Sequence, residues 1–287
     1  MGTTLTYVYC LVRATRPPSL GGAPAPLPGS RPLRLLEVSG VGSARVRHWL
    51  VVSSVPGRLY DEAALERGLQ RLEWVGRRAL AHEAVVEYFL RAPAVLPMQL
   101  FALFTSDERA LENVARNRAR IDRILARLDR QLEWGLRLTF DENAAREAVD
   151  QKHKKAGGRG KGRARGTSAE SPSGAAYLAR KRDLFDVTRV QLTRAKAQAD
   201  RLFRAMRGEA TESLRRKAME DAAPGSRLLL DAAFLVPTRR SGAFRTALRK
   251  HAKQLDAVGI VVSLTGPWPP YNFIDSAARP RRAAKGR

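Results

Sequence analysis

The chain has only one cysteine, Cys10, among its 287 residues. No internal disulfide can form, which is typical of proteins in a reducing compartment. Long apolar runs are also missing: no stretch approaches the roughly 20 residues of a membrane span, and Arg13 interrupts the N-terminal apolar run before it could serve as a signal peptide. We therefore expect a cytoplasmic protein with no membrane partner, and we expect Cys10 to be buried and inert.

Residue patterns that carry catalysis or bind metals are scarce too. Of the four histidines, His82 lies in His82-Glu83-Ala84-Val85-Val86, which lacks the second histidine of a zinc protease helix, and we expect it to form local hydrogen bonds near a helix end. The stretch 157–162 resembles a phosphate loop, but Gly162 stands where that loop needs serine or threonine. The chain has no G-x-S-x-G motif. We therefore expect no enzyme, no catalytic residue, no cofactor and no metal.

The charge is strongly one-sided, with 52 Lys and Arg against 28 Asp and Glu, a formal net charge of +24. Such an excess ordinarily points to a polyanionic or acidic partner. Half of it comes from two stretches without acids, seven basic residues in 152–165 and five in 279–287. These stretches are either solvated tethers or basic tethers that hold an acidic surface or incidental nucleic acid.

The length leaves room for about two domains. We predict an α+β fold with an N-terminal α+β domain over residues 1–150 and a C-terminal α+β domain, opened by a long helix, over residues 174–275. A basic linker rich in Gly, Arg and Lys, with the composition of a disordered segment, joins them over residues 151–173. We predict a basic disordered tail over residues 276–287.

Apolar periodicity and breakers predict the elements of the first domain. Asp61 caps a helix that runs to Ala81, and Thr105-Ser106-Asp107-Glu108 is a capping box that starts another. Residues Pro17 to Pro32 form a loop. The predicted strands are Thr4–Val12, Leu33–Val38, Arg45–Val55, Val85–Leu90, Val95–Phe104 and Trp134–Phe140.

The second domain is predicted to open with a long helix from Gly174. Its apolar positions repeat every seven residues, but Lys181 and Thr188 interrupt the second heptad position, which favours packing within the molecule and a monomer or weak oligomer. The remaining predicted elements are a helix over Thr211–Met219, a strand over Arg227–Val236, a helix over Ala243–Leu255 with Phe244, Leu248 and Leu255 inward, and a strand over Ile260–Leu264.

The stretch Gly259 to Ile274 is the most distinctive in the chain. Its apolar run lacks alternation, which predicts a core strand covered on both faces. Three prolines then predict that the strand stops at Gly266 and continues as polyproline II, with Trp268, Tyr271 and Ile274 on one edge. That edge either docks on the protein's own sheet or forms a surface for a partner.

The motif G-P-W-P-P-Y-N-F at 266–273 resembles the closing signature of the gas vesicle GvpF/GvpL family of accessory proteins. Further landmarks follow the same order along nearly the whole chain: Y-V-Y-C-L-V at 7–12, Val51-Val52-Ser53, His82-Glu83-Ala84-Val85, Val95-Leu96-Pro97, Glu133-Trp134-Gly135-Leu136, Gly174-Ala175-Ala176-Tyr177-Leu178 and Ala233-Phe234-Leu235-Val236. One departure is that the family pattern continues with a basic residue, an aromatic and glycine after Pro97. Here residues 98–104 carry no charge, so no role of that basic residue transfers.

The resemblance implies a ferredoxin-like second domain and a gas vesicle accessory protein that works with the major shell protein and other accessory proteins. It implies a location at the gas vesicle, as an assembly factor or as a minor structural component of the wall. Candidate partner-binding residues are the uncharged stretch and the aromatic strip: Gln99, Leu100, Phe101, Phe104, Trp268, Pro269, Pro270 and Tyr271. The competing hypothesis, drawn from the charge, is a nucleic-acid-binding regulator.

Overall fold

The structure is a computed structural model that describes residues 3–38, 46–143, 174–217, 225–256 and 259–274. Helices and two sheets make up this part of the chain, which confirms the predicted α+β class. Contacts divide the chain into two compact units, Met1–Glu133 with Pro267–Arg287, and Trp134–Gly266. The predicted linker 151–173 and tail 276–287 lie outside the described residues, and the predicted domain boundaries stay predictions.

The first unit is built on a sheet whose central strand is β1. Its strands are β1 (Thr4–Ala14), β2 (Arg34–Glu37), β3 (Arg47–Pro56), β4 (Ala94–Pro97) and the two-residue β5 (Leu103–Phe104). The order is β2-β3-β1-β4, and β5 also pairs with β1, at Thr6 and Tyr7. All these pairings are antiparallel, and a register shift between Val8 and Cys10 interrupts the β1–β3 ladder. Cys10 is buried at the centre, as predicted.

Three helices follow β3: α1 (Gly57–Tyr60), α2 (Glu62–Leu69) and α3 (Leu72–Tyr88). Asp61 caps α2 as predicted, since its side chain accepts from the amide of Ala64. The prediction of one helix from Asp61 to Ala81 is wrong, because α2 ends at Leu69 and a separate helix, α3, begins at Leu72. The predicted strand Val85–Leu90 is wrong, because α3 runs through it and a 3₁₀ turn, Phe89–Arg91, follows. β-Branched residues suggested the strand, yet Val85 and Val86 are fully buried and share one helix face with His82.

The region after Pro97 also differs from the prediction of one strand over Val95–Phe104. β4 ends at Pro97, a turn occupies residues 98–102, and β5 resumes at Leu103. Phe101 has φ +67°, a left-handed conformation that a β-strand does not contain. The predicted helix start is confirmed, with Ser106 as the N-cap, whose side chain accepts from the amide of Arg109. Two helices follow, α4 (Asp107–Arg116) and α5 (Arg118–Arg127), which meet at Asn117.

The described part of the second unit combines a four-stranded sheet with two helices. The strands, in the spatial order β7-β8-β6-β9, are β7 (Glu212–Arg215), β8 (Ser226–Pro237), β6 (Gln131–Asp141) and β9 (Ile260–Trp268), and the helices are α6 (Gly174–Gly208) and α7 (Ser241–Asp256). α6 packs on the core through Ala195, Ala199, Leu202 and Met206, which supports packing within the molecule. α7 buries Phe244, Leu248 and Leu255 as predicted.

Two predictions for this unit are wrong. The predicted helix Thr211–Met219 is strand β7 over Glu212–Arg215, antiparallel to β8, because pairing with that buried strand overrides the local helical preference. β9 is not covered on both faces: it is an edge strand whose burial alternates, with Ile260 buried and Val261 56% exposed. It also runs past Gly266 to Trp268, and a 3₁₀ turn over Tyr271–Phe273 replaces the predicted polyproline segment.

Candidate partner-binding site

The turn after β4 is held by a buried hydrogen-bond relay from the central strand. The amide of Phe101 donates to the hydroxyl oxygen of Tyr7 at 3.3 Å, and Tyr7 Oη lies 2.7 Å from Nδ1 of His82. The Tyr7 hydroxyl therefore accepts from the turn and shares a second hydrogen bond with the imidazole of His82. His82 therefore bonds to a strand 75 positions away, and the prediction of a local bond near a helix end is wrong.

Burial fixes the charge state of this relay. His82 is 4% exposed and its ring stacks on Tyr9 at 5.7 Å. Removal from water disfavours the imidazolium, so the pKa of His82 falls to about 4. Burial likewise raises the pKa of Tyr7. Both groups are neutral near pH 7, and the turn carrying Gln99 and Phe101 rests on an uncharged polar support.

The stretch 268–274 is anchored to the first unit by two carboxylates. Tyr271 donates from its hydroxyl to Oε2 of Glu83 on α3 at 2.7 Å. Asn272 donates from its amide to Oε2 of Glu133 at 3.0 Å and from its side chain to Oε1 at 2.5 Å. Phe273 is 1% exposed. The prolines before Tyr271, Pro269 and Pro270, are buried as well, so this stretch docks on the protein itself.

The pair formed by Glu83 and Tyr271 has an altered proton affinity. Burial is the largest cause that raises the pKa of Glu83, the hydrogen bond from Tyr271 lowers it, and the nearby charge of Glu87 raises it. Burial and the carboxylate of Glu83 both raise the pKa of Tyr271. Tyr271 therefore remains a proton donor at every physiological pH.

A cleft of about 310 Å³ lies within the first unit where these parts meet. One wall comes from β4 and the turn, a second from α4 and α5, and a third from the 268–274 stretch. Its apolar surface carries two asparagine amides, a glutamine amide and one guanidinium, so it suits a partner with both apolar and hydrogen-bonding groups. The lining residues are Leu96, Pro97, Met98, Gln99, Asn113, Asn117, Arg120, Ile121, Ile124, Tyr271 and Ile274.

Two of the predicted binding residues, Gln99 and Tyr271, line this cleft although the sequence separates them widely. The others do not line it. Phe101 packs 5.5 Å from the ring of Trp74, Phe104 pairs with Thr6 in the sheet, and Leu100 is half-buried. Trp268 lies outside the cleft and is 38% exposed.

Sequence reasoning missed the wall formed by α4 and α5. Asn113, Asn117 and Arg120 recur at helical spacing on one side of the helices and could have indicated a polar strip. The apolar face of the same segment, with Val114 and Leu125 buried, gave the stronger signal.

Over the part of the chain that the structure describes, no group of three His, Cys, Asp or Glu side chains could hold a metal ion. None of the described helices is long and apolar enough to cross a membrane.

Comparisons with known proteins agree over nearly the whole chain. Residues 5–275 match the family model described as gas vesicle synthesis protein GvpL/GvpF. A relative, gas vesicle protein L of Streptomyces sp. (strain CB03234), is 28% identical over 283 residues, which cover 94% of this chain and 92% of that protein.

Two crystal structures share the fold. That of the gas vesicle protein GvpF from Anabaena sp. PCC7120 has a TM-score of 0.63 at 14% identity and covers 94% of this chain and 96% of that one. That of GvpF from Microcystis aeruginosa has a TM-score of 0.60 at 14% identity, with 95% and 99% covered. The resemblance drawn from the sequence motifs is confirmed.

Proposed function

The chain belongs to the GvpL/GvpF family of gas vesicle synthesis proteins, and we propose that it binds the small hydrophobic shell protein and assists vesicle assembly. Its role is thus related to gas vesicles. In this proposal it acts by binding, at the gas vesicle and in the cytoplasm, and other accessory proteins of the vesicle are further partners.

The physical need for such a protein follows from the shell. A subunit that forms a wall facing gas carries a large apolar surface, and such a surface self-associates in water. A partner that covers part of this surface until the subunit joins the wall lowers the concentration of aggregation-prone species. Covering an apolar surface requires complementary apolar contacts and a few hydrogen bonds, without bond-making chemistry.

The cleft of the first unit is the observation that carries the proposal. It combines apolar side chains, Leu96, Ile121 and Ile124 among them, with the amides of Gln99 and Asn113. Trp268, three positions before Tyr271, adds an exposed aromatic side chain of a type that often dominates binding energy. Of the binding residues predicted from sequence, the proposal thus relies most on Gln99, Trp268 and Tyr271.

Co-expression with the shell protein followed by affinity capture tests the proposal. We expect the full chain to retain the shell protein and to raise its soluble fraction. Gln99→Arg places a second cation in the cleft beside Arg120 and should lower retention about tenfold, since an unpaired charge is costly to desolvate. Gln70→Arg, at an exposed helix end, is the matched control and should retain the shell protein fully.

Two results would overturn the proposal. One is a shell protein that stays equally insoluble with and without this chain. The other is equal retention by the Gln99 and Gln70 variants, which would remove the cleft from the interface. Washed vesicles distinguish transient assistance from a lasting place in the wall, because only a resident component remains in them after washing.

A further inference from the structure

The second unit has two sheet edges that differ in length and chemistry. In the order β7-β8-β6-β9 the edges are β7 and β9. β7 has four residues, two of them Glu212 and Arg215, and a short charged strand is a poor template for pairing. β9 has nine residues, and Pro267 near its end is the only one without an amide donor. Within the described ranges no strand pairs with the outer side of β9.

A groove of about 350 Å³ runs beside this edge. It is lined by Arg245, Leu248, Arg249 and Ala252 of α7 and by Val262 and Leu264 of β9. Val262 and Leu264 are only partly buried against the core. A strand added next to β9 would point every second side chain over this groove and would cover the apolar flank that the sheet leaves open.

The rim of the groove is positively charged. Arg245 lies over the ring of Trp134 at 5.7 Å, and Arg249 donates to the carbonyl of Arg245 and to the hydroxyl oxygen of Thr246. Among the described residues neither guanidinium forms an ion pair with a carboxylate. The remaining charges of α7 include Lys250 and Lys253, and its single acid is Asp256.

We propose that β9 receives an extended segment of another protein as a fifth strand of this sheet. The segment carries alternating apolar side chains that fill the groove and carboxylates that pair with Arg245 and Arg249. Four residues of a helix rise about 6 Å, and two residues of a strand rise about 6.6 Å. Two carboxylates that are two positions apart in the added strand therefore have nearly the same spacing as Arg245 and Arg249, which are four positions apart on α7. The surface is separate from the cleft of the first unit, so this proposal does not depend on the function proposed above.

Charge favours this occupant over two alternatives, a second copy of the chain and the chain's own basic stretches. If two copies of the chain paired through β9 as one continuous sheet, both α7 helices would lie on the same face, and their Arg and Lys side chains would repel. The basic stretches 152–165 and 279–287 contain no acid and would be repelled in the same way. An acidic, apolar segment of a different protein gains the ion pairs as well as the backbone hydrogen bonds.

Binding of two synthetic nonapeptides to the full chain tests the proposal. The acidic probe is Thr-Val-Thr-Glu-Thr-Glu-Thr-Val-Thr, and the control peptide has Lys in place of both Glu residues; both carry a fluorophore for anisotropy. We expect the acidic peptide to bind at least about tenfold more tightly at low salt. Hydrogen exchange should slow at amides of residues 260–266 when it binds, because strand addition satisfies the outer donors of β9.

Charge reversal on α7 provides the matched variants. Arg249→Glu should weaken binding of the acidic peptide about tenfold and strengthen that of the basic peptide. Lys253→Glu, an exposed change of the same charge on the same helix that does not line the groove, should leave both affinities within about twofold.

The proposal fails if neither peptide binds at about 1 mM, if both bind equally, or if binding leaves the exchange of 260–266 unchanged. Protection of 260–266 that rises with protein concentration in the absence of peptide would also overturn it, because a second copy would then occupy the edge.

Discussion

Tyr271 and Glu83 are 188 positions apart in the sequence and share one hydrogen bond, in which the Tyr271 hydroxyl donates to the Glu83 carboxylate at 2.7 Å. The donor belongs to the P-P-Y-N-F stretch and the acceptor to the middle of α3. The bond thus ties the most distinctive motif of the chain to the helix that also carries His82. Both side chains are half-buried. The hydrogen bond between them replaces the hydrogen bonds to water that each group loses on folding.

Tyr271→Phe should destabilise the first unit by about 1–3 kcal/mol, because the carboxylate of Glu83 keeps its burial and loses its donor. Urea unfolding at pH 7 measures the loss. Tyr88→Phe is the control. The hydroxyl of Tyr88 donates to the carbonyl of Gly21 at an exposed site, where water can replace it, so this substitution should cost less than about 1 kcal/mol. Equal losses in the two variants would contradict the assigned role of Tyr271.

Glu83 should make the protein less stable as the pH rises. Its pKa is higher in the folded state than in the unfolded chain, with burial as the main cause. The folded state therefore binds more protons, and the stabilisation is complete below the unfolded pKa and is lost as the pH rises through the folded pKa. Glu83→Gln keeps an acceptor for Tyr271 and cannot ionise. Its stability relative to the parent chain should increase from pH 4 to pH 7; a constant difference would refute the assignment.

His82, in contrast, should make the protein less stable as the pH falls. Its pKa falls from 6.5 to about 4 on folding, so the neutral form contributes stability that is complete above pH 6.5 and is lost as the pH falls towards 4. The shift corresponds to about 3 kcal/mol. In His82→Gln, which retains an acceptor for Tyr7, urea unfolding between pH 7 and pH 4 should show a smaller loss than in the parent chain. A loss as large as that of the parent chain would refute the assignment.

Two helical glycines should respond to alanine with opposite signs. At Gly68 a Cβ would lie 2.7 Å from the indole ring of Trp74, whereas at Gly76 it would meet nothing within 4 Å. Gly76→Ala should stabilise the protein by about 0.5–1 kcal/mol through helix propensity. Gly68→Ala should destabilise it by about 1–3 kcal/mol through overpacking. Thermal unfolding of the two variants measures both signs, and a stabilised Gly68 variant would show that Trp74 moves freely.

The sequence predicted the elements that local chemistry determines. The Asp61 and Ser106 caps and the inward face of α7 depend on side chains that act within a turn or two, and all are confirmed. The predictions are wrong where contacts with residues distant in the sequence determine the structure. Val85 and Val86 favour a strand by themselves, but they complete the buried face of α3. The apolar run of β9 gave no sign that its sheet ends there.

The candidate site shows the same division. The uncharged stretch after Pro97 predicts Gln99 as a binding residue and the aromatic strip predicts Tyr271, and both line the cleft. Their proximity depends on Glu83 and Glu133, whose roles as anchors of the 268–274 stretch have no local sequence signal. The left-handed turn at Phe101 depends in the same way on the hydroxyl of Tyr7, 94 positions earlier.

The first unit combines Met1–Glu133 with Pro267–Arg287, and this arrangement has a consequence for synthesis on the ribosome. The partners of Glu83 and Glu133 are translated only after every residue of Trp134–Gly266. During that interval the nascent first unit has both carboxylates without Tyr271 and Asn272, and one wall of its cleft does not yet exist. A chain cut short before residue 267 therefore never acquires a complete cleft, so the partner binding that we propose for this site requires translation past the second unit.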